Sequence, residues 1–130
     1  MNMVALSILA HPDDAEFLCA GTLIRLKREH GWDVHIASMT PGDCGSVEHD
    51  SAEISRLRRA EGAAAAQLIG GLYHCLEERD LLIVYGESAL EKAVRLMRQV
   101  RPSIVFTHSP TDYMLDHEQT SIIVRAAAFG

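Results

Sequence analysis

His11, Asp13 and Asp14 stand together in Ala10-His-Pro-Asp-Asp-Ala15-Glu16, between a strand-like run from Val4 to Leu9 and a helix-like run that follows. An imidazole and a carboxylate three residues later can reach a single metal ion from one turn of chain. Asp13 is then free to act as a general base. A second constellation, Asp112-Tyr-Met-Leu-Asp116-His117, also lies just past a strand-like run. If both loops face one crevice, His117 joins His11 and Asp14 in a set of two imidazoles and one carboxylate. Such a set suits zinc, with a coordination position left for water. A metal held there lowers the pKa of water toward neutrality and polarises a carbonyl, while Asp13 takes the proton during attack.

Each piece also has an ordinary explanation. Acids after a His-Pro turn serve as helix caps or first-turn residues favoured by the helix dipole, and Asp116-His117 can be read the same way. His108 closes a strand, where it either approaches the metal and the substrate carbonyl or makes a structural hydrogen bond. Glu61 falls inside the apolar stripe of its helix, and Arg58 three residues earlier either forms a local ion pair with it or is oriented by it toward substrate. The loop Gly42-Asp43-Cys44-Gly45 is either a plain turn or an anion cradle. His30, His35, His49 and His74 read as surface or core histidines.

The elements that must position these groups alternate in a βαβ pattern. Val4 to Leu9 reads as the first strand, followed by a helix from Asp14 that stops at Gly31. A second strand over Asp33 to Thr40 runs into the turn-rich Pro41 to Ser46. Asp50 and Glu53 form a capping box for a helix with Ile54, Leu57, Ala64 and Leu68 on one face, ended by Gly70-Gly71. Leu72 to Cys75 reads as a short strand, whereas Leu81 to Val84 fits a loop or a strand equally well. Glu87 to Val100 is helical, Ser103 to Thr107 has a buried-strand pattern, and a last helix starts near Asp116. This order predicts an α/β fold, a Rossmann-like three-layer sandwich with a mostly parallel sheet. No G-x-G-x-x-G follows the first strand, which counts against a nicotinamide-binding domain.

Composition narrows the partners. The chain has 130 residues, one domain's length, and its formal net charge of -6 offers no general attraction to nucleic acid or anionic membrane. A small-molecule substrate is expected. Three cysteines without a CxxC pair imply neither a disulfide framework nor a zinc ribbon, and fit a reduced cytoplasm. The N-terminal apolar run is too short to span a bilayer and has no basic leader before it. Homo-oligomerisation stays open.

Taken in order, Ala10-His-Pro-Asp-Asp-Ala15-Glu16 with Gly21-Thr22, Thr40-Pro-Gly42-Asp43, Arg58-Arg-Ala-Glu61 and Asp116-His117 resemble the LmbE-like (PIG-L) family of zinc-dependent N-deacetylases. The resemblance covers essentially the whole chain as a single domain, residues 1–130. It implies hydrolysis of an N-acetyl or other N-acyl group from an amino sugar or glycoside. It further implies zinc, or another divalent metal, on His11, Asp14 and His117, with Asp13 as general base. By the same resemblance Arg58 would contact the substrate and Asp116 would support the site; from their positions in the sequence alone, Asp43 in its glycine loop is a further substrate-binding candidate and His108 at its strand end a further catalytic one. Two departures stand out. Many members carry His-Pro-Asp-His at the second metal loop, where this chain has Met114-Leu115-Asp116-His117. Members also usually run well past this length, so the expectation is a C-terminally truncated, N-terminal portion of such a domain. A non-catalytic metal-binding α/β module, or an inactive fragment of such an enzyme, is the alternative reading.

Overall fold

The computed structural model describes all residues, 1–130. Its centre is β1 (Val4–Leu9), flanked in a four-stranded parallel sheet by β2 (Asp33–Ser38) and β4 (Ile104–Phe106), with β3 (Leu72–Cys75) outside β2. The helices are α1 (Asp14–Leu18), α2 (Ala20–His30), α3 (Ser51–Leu68), α4 (Glu87–Val100) and α5 (Leu115–Ala127). Alternation along β1 sends Ala5 and Leu9 into the apolar layer shared with Leu23 of α2 and Ala66 of α3. Leu6 and Ile8 enter the opposite layer, with Ala93 of α4 and Ile123 of α5. The result is the expected three-layer α/β sandwich. β1 has β2 on one side and β4 on the other, so the strand order reverses between β1 and β4, and a ligand crevice opens at such a point beyond the strands' carboxyl ends.

Several boundaries fall where local chemistry directs. Gly31 ends α2 with φ 70°, and its N–H reaches back to the last turn. The Asp50 side chain accepts the Glu53 N–H at 2.8 Å to start α3.

Three expectations are corrected. The first helix is broken at Cys19, so that Ala15, Cys19 and Leu23 meet the core while Phe17 and Leu18 point outward. On α3 the buried residues are Ile54, Ser55, Gly62 and Ala66, whereas Leu68 is 84% exposed. Close approach sets that face: a Cβ on Gly62 would lie 2.8 Å from the Tyr73 ring, so the helix backbone presses directly on β3. Glu61 consequently lies outside the buried stripe. The third is a shortening: Ser103 and Thr107 lie outside the ends of β4, and Met39 and Thr40 lie past the end of β2. The undecided Leu81 to Val84 is a loop rather than a strand.

His35 and His74 meet across β2 and β3, with Nδ1 and Nε2 2.8 Å apart. Burial lowers the pKa of both imidazoles, and His35 lowers that of His74 further. With folded values below about 6.5, the folded chain binds fewer protons than the unfolded one, so this stability exists above that pH and is lost as pH falls. Between about pH 7 and about pH 5 the melting temperature should fall more in the native chain than in His74→Gln. Equal falls would show that the pair contributes nothing to acid sensitivity.

Candidate functional site

The loops after β1 and β4 bring the two constellations together at the switch point. Asp14 Oδ2 lies 3.3 Å from His11 Nδ1 and 3.4 Å from His117 Nε2, and it accepts the His11 backbone N–H at 2.9 Å. Neither Asp13 nor Asp116 caps its own helix. Asp13 precedes α1 with φ 91°, makes no capping hydrogen bond, and turns its carboxylate to Arg58 Nη2 at 3.0 Å. A non-glycine residue in this region stores about 1–3 kcal/mol of strain, and such positions cluster at functional sites. Asp116 is buried, with Oδ2 2.9 Å from His11 Nε2.

Each central histidine has one nitrogen tied to carboxylate and the other turned to Asp14. His11 Nε2 faces Asp116 and also Asp80 Oδ1 at 3.0 Å, leaving Nδ1 beside Asp14. Burial works against a charged His11, but the Asp14 and Asp116 carboxylates outweigh it and raise its pKa to about 9. A place that holds a proton so firmly between carboxylates also favours a metal cation. His117 Nδ1 meets Asp112 Oδ1 at 3.1 Å, while its buried Nε2 has no hydrogen-bond partner. Ligand atoms about 2.0–2.2 Å from one tetrahedral ion are about 3.3 Å apart, so the spacings to Asp14 fit a shared metal. Three other groups of metal-compatible atoms also lie close together, and members of each accept backbone N–H groups, as Asp14 itself does. Ala10 N–H donates to His108 Nε2 at 2.9 Å, and the Asp80 and Asp43 carboxylates accept the N–H groups of Cys44 and Asp80.

A cleft of about 620 Å³ opens beside this centre, with His11, Asp13, Arg58, Asp80 and Met114 on its walls, whereas Asp14 and His117 lie behind His11, outside the lining. Arg58 bridges Asp13, the Pro12 carbonyl at 2.6 Å and Glu61 at 3.0 Å, so the Arg58–Glu61 pair reaches the candidate base. Asp43 is outside the cleft lining: its Oδ1 accepts the Asp80 N–H at 2.7 Å, and Oδ2 lies 3.7 Å from Arg79 Nε. His108 is also outside the lining, stacked on His117 with ring centroids 3.9 Å apart. Sequence reasoning gave no role to Asp80 or Asp112. Asp112 had a usable signal, a carboxylate five residues before a candidate ligand in the same loop, whereas Asp80 was hidden in a charged loop.

The chain belongs to the family described as PIG-L, GlcNAc-PI de-N-acetylase, whose model matches residues 6–128. It is 29% identical over 121 residues to 4-oxalmesaconate hydratase of Pseudomonas putida, covering 87% of this chain and 46% of that protein. To 1D-myo-inositol 2-acetamido-2-deoxy-alpha-D-glucopyranoside deacetylase of Rhodococcus erythropolis it is 27% identical over 157 residues, covering 95% and 53%. The solved N,N'-diacetylchitobiose deacetylase of Pyrococcus horikoshii superposes with a TM-score of 0.88 at 27% identity, covering 97% of this chain and 49% of that one. The chain thus spans about half the length of the curated relatives it matches. No helix is long and apolar enough to cross a membrane.

Asp116 also holds the loop before α4. Its carboxylate accepts the Leu81 N–H at 2.8 Å and the Ile83 N–H at 3.3 Å, and Gln119 Oε1 accepts the Tyr85 N–H at 2.8 Å. Ile83 is buried, so leaving its N–H unpaired costs about 1–3 kcal/mol. Asp116→Ala should therefore speed amide hydrogen exchange at Leu81 and Ile83 while the β1 amides stay protected. Unchanged exchange at Leu81 and Ile83 would contradict this role.

Proposed function

We propose that this chain carries the metal-centred part of a zinc-dependent hydrolase that removes an N-acetyl, or other N-acyl, group from an amino sugar or glycoside. The observation that carries the reading is the unpartnered, buried His117 Nε2, turned with His11 Nδ1 toward one Asp14 oxygen. His11, Asp14 and His117 would hold the metal; zinc or a similar divalent ion supplies Lewis acidity toward the acyl carbonyl and lowers the pKa of water. Asp13, on the cleft wall, takes the proton as water attacks and passes it to the departing amine. Arg58 holds Asp13 at the cleft and is placed to meet a polar substrate group. Asp116 and Asp80 steady His11 from behind. The substrate is a small molecule, by kinship with the deacetylase relatives. The three free cysteines fit a reducing, cytoplasmic setting.

A second reading is favoured by Met114 and by the hydratase relative. Met114 is a cleft residue without an acidic proton, and adding water across a carbon–carbon double bond expels no amine. Asp13 would take a proton from water as its oxygen joins one carbon and return it to the neighbouring carbon, and a metal held by the same residues would polarise the substrate.

The chain should bind one zinc ion, and His11→Ala or His117→Ala should lose it; zinc retained in both variants would sink the ligand set. Acetate release from N-acetylglucosamine derivatives should fall at least about 100-fold in Asp13→Asn with zinc retained. An unaffected rate removes Asp13 as base. Hydration of an unsaturated dicarboxylate without any acetate release would favour the second reading.

A further inference from the structure

We propose that Asp112 is a positioning residue that selects which nitrogen of His117 faces the metal site. The inference rests on the metal-centred reading above. Three groups confine the His117 ring, and they differ in what they control. His108 stacks on its face, with centroids 3.9 Å apart and planes 7° from parallel, and Tyr113 meets it edge-on with centroids 5.5 Å apart. Those contacts hold the plane of the ring but accept it equally well after a half-turn that exchanges its nitrogens. Asp112 supplies the polar contact that distinguishes the two orientations.

A carboxylate only accepts, so the 3.1 Å contact with Asp112 Oδ1 places the proton of a neutral His117 on Nδ1. The lone pair then belongs to Nε2, the buried atom without a partner that lies 3.4 Å from Asp14 Oδ2. Asp112 is itself held in place. Its Oδ1 accepts the Met114 N–H at 3.0 Å, closing a turn at the start of α5, and its own N–H donates to Glu118 Oε2 at 3.3 Å. The loop after β4 thus fixes the carboxylate, which fixes the imidazole. His11 differs because two carboxylates, Asp80 and Asp116, share its Nε2, so the loss of one leaves another. His117 has no such reserve, and carboxylates behind a histidine ligand commonly govern metal affinity about 10- to 100-fold.

The test separates the histidine contact from the turn. Asp112→Ser keeps a hydroxyl for the Met114 N–H but is too short to reach His117, whereas Asp112→Asn keeps a carbonyl acceptor for both donors. Zinc affinity is measured by chelator competition, and the His117 tautomer by side-chain 15N NMR of the metal-free chain. Asp112→Ser should bind zinc about 10- to 100-fold more weakly and lose the uniform Nδ1–H form, while Asp112→Asn should keep that form and recover most of the affinity. Wild-type affinity or a retained Nδ1–H form in Asp112→Ser would overturn the proposal. If Asp112→Ser does not fold, an Nε2–H form in Asp112→Asn overturns it and an Nδ1–H form supports it. If the unaltered chain binds no zinc, the metal reading fails, but the tautomer measurement still decides the role of Asp112.

Discussion

One carboxylate oxygen, Asp14 Oδ2, gathers the carboxyl ends of the central strands. It accepts the His11 backbone N–H and faces His11 Nδ1, His117 Nε2 and His108 Nε2 at 3.3, 3.4 and 3.5 Å. The last approach is not a hydrogen bond, because His108 Nε2 already accepts from the Ala10 backbone, whose N–H can only donate. A carboxylate so enclosed by imidazoles ties the end of β1 to the loop after β4 and to the first turn of α5. Burial makes that arrangement expensive unless a proton or a cation balances it, and the raised pKa of His11 reflects the same demand.

The surrounding carboxylates organise outward from this point. Asp116 serves His11 and the backbone of the loop at Leu81 and Ile83, so the orientation of His11 and a segment of the cleft's surroundings depend on one side chain. Asp80 accepts the Cys44 N–H while its own N–H is held by Asp43, which joins the loop after β2 to the same assembly. Arg58 reaches in from α3 to the strained Asp13. Loops from every strand of the parallel sheet therefore converge at one end, as a doubly wound fold requires, and the sheet itself contributes rigidity rather than chemistry.

Much of this was legible in the residues because local rules coincide with the fold. Val4 to Leu9 and Glu87 to Val100 fall at the expected residues, where apolar period and stop signals agree. His11, Asp14 and His117 can be grouped from sequence, since each follows a strand-like run and has a side chain able to bind a metal. The buried face of α3 differs from its hydrophobic stripe because the contact with β3 is made through Gly62, where a missing side chain rather than a large one lets the helix approach. Leu81 to Val84 is ambiguous in sequence because its Leu81 and Ile83 N–H groups pair with the side chain of Asp116, a pairing that no strand pattern encodes. The roles of Asp80 and Asp112 depend on which nitrogen of a histidine they meet, and that information arises only when distant loops are brought together.

The chain belongs to a family described by a de-N-acetylase and has a hydratase among its relatives, and Met114 stands on the wall of its cleft. Everything specific to catalysis depends on whether His11, Asp14 and His117 act as one ligand set. The most direct measurement is the X-ray absorption fine structure of the zinc-loaded chain. The account predicts two imidazole nitrogens and protein carboxylate oxygen around zinc at about 2.0–2.2 Å, and no such zinc shell in His117→Ala. A zinc shell with sulfur, or one unchanged when His117 is removed, would contradict it.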